Sequence, residues 1–448
     1  MELSFRWYGP RDPVKLTDIR QSNAEYVVTS LHHIPAGVKW KKEDVSKHND
    51  FIKSHNNKYN VNLKWNVVES INVHNNIKLR NNNFKKLISN YKDSIVSVSK
   101  NKIRTICYNF MPIIDWTRTQ LDYKLPTDGL ALRFNYIHFL VFERFILKRL
   151  NLEKRYSLNE IQAAERVYKN MNSNDIKNLK IAIMGGLPAA EIKYTVPQFK
   201  KMIDAYKEIN DDQLKENLKE FLKEIIPVAE ENNVKMCLHP DDPPMPLFGL
   251  PRIVSGLKDY KFVLNSYKSK SNGVTFCSGS LASNINNDVY QIFNELKNNI
   301  NFIHLRNVKI EKDKKSFYES NHLNGDINFV KLIKLILKEE DHRKKRNNKK
   351  GTPKFIYLLF NRKRFKCLHQ RLKKSGKHAP VFSCRHNTVF IVNQTTISCG
   401  IGVFMLSASV AGFFLISMNG PSRLMFAIAG LLLVSPNNTG ILYSLCFA

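Results

Sequence analysis

Short apolar runs alternate with longer helical patterns along the first 308 residues of this 448-residue chain. Seven such runs end in polar or aromatic residues: LSFRWYG (3–9), YVVTSLHHIP (26–35), WNVVESI (65–71), RTICYNFMP (104–112), VKMCLHPDDPP (234–244), GVTFCSGS (273–280) and NFIHLRNV (301–308). Strands that alternate with helices predict an α/β fold with a parallel sheet. Because polar residues collect at one end of nearly every strand, the pattern favours a (β/α)8 TIM barrel over an open sheet, with one strand unaccounted for.

Two segments have the spacing of outer-ring helices. Residues 189–209 and 211–233 carry apolar side chains at three- and four-residue intervals, and the second segment opens with Asp211 and Asp212, as helix N-termini often do. Between residues 123 and 178 the connections are longer. That region is predicted to be an inserted cap or a dimer-contact region, and the pattern does not choose between the two.

The barrel pattern stops near residue 346, and the composition then changes. A basic block, FNRKRFKCLHQRLKKSGKH (360–378), precedes an uncharged run from 397 to 418 that is long enough to span a bilayer. The sequence therefore predicts a barrel over 1–346, a basic linker over 347–395 and a hydrophobic tail over 396–448 with a candidate transmembrane segment. A basic block beside an apolar run favours a cytoplasmic flank.

The net charge of the chain is +31, from 70 Lys and Arg against 39 Asp and Glu, which raises the question of nucleic-acid binding. No acidic residue follows Asp341, however, and 17 of the 70 basic residues lie beyond it. The remaining excess of basic over acidic residues, before Asp341, is spread over helical segments, which is typical of a solvated surface. No nucleic-acid partner is therefore expected. The seven cysteines have no CxxC spacing and indicate a reducing cytoplasm.

Three candidate metal ligands stand at successive strand ends. His239, Cys277 and His304 occupy nearly the same position in their runs, and the carboxyl ends of barrel strands meet at one mouth. Two imidazoles and a thiolate suit Mn²⁺, Fe²⁺, Co²⁺ or Zn²⁺, with a carboxylate as the natural fourth ligand. Taken singly, Cys277 is better explained as a small buried hydrophobic residue and His304 as a core histidine. Their occurrence together at three strand ends favours metal binding.

Several long segments resemble the mannonate dehydratase family. They are FRWYGPRDPVKLTDIRQ (5–21), VVTSLHHIPAGVKW (27–40), ICYNFMPIIDWTRTQL (106–121), CLHPDDPPMPLFGLPRI (237–253), TFCSGSL (275–281), HLRNV (304–308) and HLNGD (322–326). The resemblance runs from Met1 to about Arg346. It implies a cytoplasmic, homo-oligomeric enzyme with a xylose-isomerase-like barrel that uses Mn²⁺ or Fe²⁺ to dehydrate D-mannonate, a small-molecule substrate, to 2-keto-3-deoxygluconate in glucuronate catabolism.

The resemblance also implies site residues. Metal ligands are expected at His239, Cys277 and His304. Further residues at the mouth are expected to act in catalysis, Arg306 and His322, or to bind substrate, Asn109, Trp7 and His33. Arg306 and Asn109 suit the oxygens of a sugar acid, the arginine through paired charge-assisted hydrogen bonds. Asp241 and Asp242 lie just past their strand and are expected either to support the metal ligands from behind or to form the turn, which five prolines between 240 and 251 stiffen.

One family feature is missing from the sequence. The family's eighth strand carries an Arg-Pro-Asp-His-Gly motif whose aspartate is the remaining metal ligand, and no such motif is present here. The segment FIYLLF (355–360) has the character of a substitute strand but contains neither Asp nor His. We therefore expect the eighth strand to be missing or replaced and the metal shell to be incomplete.

The incomplete shell leaves alternatives open. The first is a mannonate dehydratase whose activity is impaired. The second is an inactive barrel remnant fused to a membrane-associated tail. A metal-dependent sugar isomerase is a third alternative, but it requires a carboxylate-rich metal shell that this sequence does not show.

Overall fold

The computed structural model describes residues 2–59, 62–185, 194–347 and 356–359, and three pairs of residues near the C-terminus, 413–414, 416–417 and 420–421. The chain divides into two compact units, Met1–His378 and Ala379–Ala448. The predicted linker (347–395) and tail (396–448) lie almost entirely outside the described residues, so their boundaries remain predictions. Within the described ranges, no helix combines the length and apolar composition needed to cross a membrane.

Twelve strands are described in the first unit. They are β1 (Glu2–Arg6), β2 (Tyr26–Thr29), β3 (Lys64–Glu69), β4 (Thr105–Tyr108), β5 (Gln120–Lys124), β6 (Leu130–Phe134), β7 (Lys235–Leu238), β8 (Asn272–Cys277), β9 (Ile300–Leu305), β10 (Val308–Ile310), β11 (Phe317–Glu319) and β12 (Ile356–Leu359). The seven strands predicted from the apolar runs are all present, as β1 to β4 and β7 to β9.

Eight parallel strands close into a barrel in the order β1, β12, β9, β8, β7, β4, β3, β2. The eighth strand is β12, which comes from the substitute segment proposed from the sequence. It pairs with β1 on one side, Glu2 opposite Ile356, and with β9 on the other, Phe302 opposite Ile356. The predicted TIM barrel is confirmed, and the eighth strand is replaced rather than missing. The edges of β1 and β9 are therefore paired.

Helices cover the barrel and build its mouth. They are α1 (Leu16–Gln21), α2 (Lys42–Tyr59), α3 (Asn75–Leu79), α4 (Phe84–Lys100), α5 (Tyr136–Val141), α6 (Leu158–Lys169), α7 (Ser173–Met184), α8 (Val196–Asp204), α9 (Asp211–Glu231), α10 (Leu257–Ser266), α11 (Ser278–Ala282), α12 (Val289–Leu296) and α13 (Phe329–Asn347). A π-helical turn, Phe142–Ile146, and a 3-10 turn, Leu152–Lys154, follow α5.

The predicted helix over 211–233 is confirmed as α9. Asn210 caps it by accepting a hydrogen bond from the Gln213 amide, and the predicted acidic pair lies in its first turn, where negative charge is favourable. Its apolar side, which includes Phe221 and Ile225, is buried in the main hydrophobic core. The other predicted helix is shorter than expected: α8 covers only Val196–Asp204, and residues 186–193 lie outside the described residues.

A second layer covers the carboxyl ends of the strands, and we call it the cap. It contains a four-stranded antiparallel sheet in the order β10, β11, β6, β5, together with α5 to α8. The cap has its own hydrophobic core, in which Phe134, Phe139 and Phe317 are buried. The predicted insertion is thus larger than 123–178, because β10 and β11 come from the loop after β9.

Candidate metal centre

His239, Cys277 and His304 meet at the mouth of the barrel. They stand at or just after the ends of three neighbouring strands, β7, β8 and β9, and Cys277 pairs directly with His304 across the sheet. One ligand atom from each lies within 4.8 Å of the others, and all three side chains are buried. His239 Nε2 lies 3.1 Å from His304 Nδ1. The three residues predicted to bind metal therefore form one group.

The His239 ring is oriented by the backbone that follows it. Its Nδ1 lies 2.7 Å from the carbonyl oxygen of Pro240, which leaves Nε2 directed at His304. The His239 amide also donates to the carbonyl of Tyr108 on β4. Burial lowers the pKa of His239, since a charged imidazole loses its hydration there, and nearby Glu69 and Asp242 only partly offset this effect. A neutral imidazole is the form that binds metals.

The environment of Cys277 favours its thiolate. Burial opposes ionisation, but the positive charge of Arg306 and the neighbouring His304 outweigh it and lower the pKa of Cys277. Ser280 Oγ donates a hydrogen bond to Cys277 Sγ over 3.1 Å and accepts one from Arg306 Nη2 over 2.9 Å. A deprotonated thiol is the form that coordinates a metal ion.

A carboxylate that the sequence analysis missed lies beside His304. Glu69, the last residue of β3, places Oε2 3.3 Å from His304 Nε2 and 2.5 Å from Arg6 Nη1. Burial opposes ionisation of Glu69, yet Arg6 and His304 together hold its pKa well below the usual range. Glu69, Cys107 and His304 form a second group whose ligand atoms lie within 4.8 Å of one another. In the sequence, Glu69 could have been recognised as the single charged residue within the apolar run WNVVESI.

Asp242 links the barrel to the cap through two arginines. Its Oδ1 accepts from Arg118 Nη1 over 2.8 Å, and its Oδ2 accepts from Arg306 Nη1 over 2.7 Å. Glu319 of β11 also contacts Arg118 Nη2, over 3.1 Å. Although burial opposes it, Arg118 and Arg306 hold the pKa of Asp242 well below its ordinary value. Asp242 is thus an ionised residue that holds Arg118 and Arg306, which agrees with the expected supporting role.

The neighbouring Asp241 is the turn-forming residue. Its Oδ2 accepts hydrogen bonds from the Val254 amide over 2.7 Å and from Ser255 Oγ over 3.0 Å, which fastens both ends of the proline-rich loop. Burial raises the pKa of Asp241. The pKa values of the two adjacent aspartates are therefore shifted in opposite directions.

Comparison with known proteins decides the family. The family profile described as D-mannonate dehydratase (UxuA) matches residues 1–355. The chain belongs to the D-mannonate dehydratase family. A mannonate dehydratase from Marinomonas sp. (strain MWYL1) is 43% identical over 356 residues, which cover 80% of this chain and 88% of the relative. One from Saccharophagus degradans (strain 2-40 / ATCC 43961 / DSM 17024) is 42% identical over 343 residues, 77% of this chain and 85% of the relative.

A solved structure supports the same conclusion. The crystal structure of mannonate dehydratase from Streptococcus suis serotype 2 aligns with a TM-score of 0.61 and 29% identity, covering 86% of this chain and 99% of the other. The resemblance noted in the sequence is confirmed, and the profile match extends to 355, nine residues beyond the predicted boundary at 346. The match to the D-mannonate dehydratase profile therefore ends just before β12 begins.

Three further predicted site residues, Arg306, His322 and Asn109, differ in burial and in their contacts. Arg306 is buried with its Nη atoms on Asp242 and Ser280. His322 lies between β11 and α13, with Nε2 3.0 Å from the carbonyl oxygen of Leu305. Asn109 follows β4 and is half-buried. These three roles remain predictions.

The two other predicted substrate-binding residues, Trp7 and His33, differ in burial. Trp7 is only 2% exposed and packs against His48 and Phe51 of α2. The neighbouring side chain, Arg6, contacts Glu69 instead. Successive side chains of a strand point to opposite faces, which explains the exchange. His33 is exposed in the loop after β2.

Proposed function

We propose that the barrel dehydrates D-mannonate to 2-keto-3-deoxygluconate with a bound Mn²⁺ or Fe²⁺ held by His239, Cys277 and His304. The observation that carries this proposal is the convergence of those three ligand atoms at the mouth of a barrel that belongs to the D-mannonate dehydratase family. The proposal also takes the chain to be a cytoplasmic homo-oligomer, which is consistent with the free thiols of Cys107, Cys237 and Cys277.

The donor set fits a divalent transition ion. His239 Nε2 and His304 Nδ1 lie 3.1 Å apart, so that one ion could contact both nitrogens. A lowered thiol pKa at Cys277 and a lowered imidazole pKa at His239 supply the deprotonated forms that metals require. Three protein donors leave coordination positions for substrate oxygens.

The reaction removes the proton on the carbon beside the carboxylate and expels the neighbouring hydroxyl as water. When bound, the ion acts as a Lewis acid towards the carboxylate and the adjacent hydroxyl. Arg306 contributes positive charge where the acid's oxygens gather, and Asp242 holds its guanidinium in place. His322 is assigned a proton transfer, and Asn109 and His33 are assigned to substrate hydroxyls.

The missing aspartate sets the expected strength of metal binding. The replacement strand Ile356–Leu359 contributes neither a carboxylate nor an imidazole. Metal binding should therefore be weaker, and turnover lower, than in a relative with the full motif. The second candidate, an inactive remnant with a membrane-associated tail, is favoured by this same absence and by the apolar run over 397–418.

The test is the formation of 2-keto-3-deoxygluconate from D-mannonate by the purified full chain, with Mn²⁺, with Fe²⁺ and with a chelator. Metal-dependent turnover supports the enzyme. A folded, metal-loaded protein without turnover supports the remnant instead, and partition of the intact chain into vesicles would support its membrane tail. A chimera with the Arg-Pro-Asp-His-Gly strand in place of residues 348–448 should bind metal more tightly; unchanged affinity would refute the ligand assignment.

A further inference from the structure

We propose that Glu69, held by Arg6, is a positioning residue that fixes the ring of His304 for metal binding. This inference rests on the proposed function and names a residue of the same site. It follows from the two sides of the His304 ring. Nδ1 lies 3.1 Å from His239 Nε2, on the side of the metal ligands, whereas Nε2 lies 3.3 Å from Glu69 Oε2.

The chemistry of an imidazole ligand requires a partner at that second nitrogen. When Nδ1 binds an ion, the ring proton resides on Nε2, where a carboxylate stabilises it and fixes the rotation of the ring. Phe302 meets the His304 ring almost at a right angle, 88°, with the ring centres 4.7 Å apart, and so limits its movement from another side. Through its charge, Glu69 thus favours the tautomer with the proton on Nε2, and Glu69 and Phe302 together limit the rotation of the ring.

Arg6 determines what Glu69 can do. Its Nη1 lies 2.5 Å from the same Oε2 that faces His304, and both side chains are buried. A second divalent cation among Glu69, Cys107 and His304 would therefore stand against the Arg6 charge. Cys107 Sγ is also within 3.2 Å of Thr275 Oγ1, in a hydrogen bond. These contacts favour a supporting role for this group over a second metal site.

The test measures metal affinity of the full chain, without substrate. In Glu69→Gln the carboxylate charge is lost while the size is kept, and the affinity for Mn²⁺, measured by chelator competition, should fall by about 10- to 100-fold. Bound Co²⁺ should retain its thiolate charge-transfer absorption, because Cys277 is untouched. The matched control is Glu143→Gln, which removes another buried carboxylate that pairs with two arginines, Arg149 and Arg155, in the cap. Its Mn²⁺ affinity should be unchanged.

Several outcomes would overturn the proposal. Wild-type affinity in Glu69→Gln would show that the contact does not matter, and loss of the Co²⁺ thiolate band would show that the substitution disrupts the Cys277 ligand and not the orientation of His304. If Glu69→Gln does not fold, Arg6→Lys keeps the charge but loosens the carboxylate, and unchanged Mn²⁺ affinity there refutes the idea. A wild-type chain that binds no Mn²⁺ overturns this proposal and the metal assignment together. Metal binding that depends on Glu69 without turnover leaves this inference standing while the proposed function fails.

Discussion

Replacing Asp242 by asparagine should destabilise the folded chain far more than the same change at Asp241. Asp242 accepts three hydrogen bonds from two buried arginines, at 2.8 and 3.2 Å from Arg118 and 2.7 Å from Arg306. An asparagine amide would point its own N–H groups at a guanidinium in either orientation. Removing one partner from a buried charge network costs about 3–5 kcal/mol.

Asp241 provides the matched control in the same loop. Both of its close hydrogen bonds end on one oxygen, Oδ2, which an asparagine oxygen can replace, and Oδ1 lies 4.0 Å from Arg252 Nη1, beyond hydrogen-bonding distance. Its raised pKa shows that burial already penalises the charge. Asp241→Asn should therefore change the free energy of unfolding by about 1 kcal/mol or less.

The assay is urea unfolding of both variants and the wild type at pH 7 with a chelator present, so that bound metal does not contribute. Because the pKa of Asp242 is lowered in the folded state, its stabilisation is present above the unfolded pKa, about 3.9, and is lost as the pH falls below it. The difference between wild type and Asp242→Asn should persist at pH 5. Equal unfolding midpoints for the two variants at pH 7 would refute this account of the network.

Two further predictions concern a ligand and a histidine. Cys277→Ser should weaken Mn²⁺ binding and abolish the Co²⁺ charge-transfer band. Cys237→Ser lies in the same barrel but outside both ligand groups and should do neither. Equal spectra of the two variants would contradict the assignment of Cys277 as a ligand. His48 has its pKa lowered to about 4 by burial and by the charge of His33, so its neutral form stabilises the fold above pH 6.5, and that contribution is lost as the pH falls to 4. Melting temperatures from pH 7 to 4 should decline less steeply for His48→Gln, and parallel curves would count against the assignment.

The strands and the metal ligands could be predicted because local patterns carry them. The run NFIHLRNV became β9 with His304 near its end, and GVTFCSGS became β8 with Cys277 as its last residue. Once the runs are assigned to parallel strands, the fold itself brings their carboxyl ends together. The spacing of a few residues within each run was therefore sufficient to predict the group.

The direction of each side chain in a strand could not be predicted in the same way. Barrel strands are buried on both faces, so the pattern does not show which alternate set points inward. At β1 the inward position belongs to Arg6 and the helix-facing position to Trp7. The sequence pattern alone therefore could not show whether Arg6 or Trp7 faces the mouth of the barrel.

Long-range charge pairs were equally hidden. Arg118 and Asp242 are 124 residues apart in sequence, and the residues around them do not indicate that the two side chains pair. The eighth strand was recognised only as an alternative, since four residues, Ile356–Leu359, are too few for a periodic pattern to identify. Pairing with β1 and β9 establishes that strand.

The cap cannot be exchanged as an independent module. Its sheet is assembled from two separate stretches of chain, and only Arg306 and Asn307 separate β9 of the barrel from β10 of the cap, a span of about 10 Å at full extension. Asn307 further binds the backbone of His322 and Ile327. A transplant of the cap between relatives would therefore require a junction two residues from the metal ligand His304. Any change in substrate recognition made this way would also change metal binding.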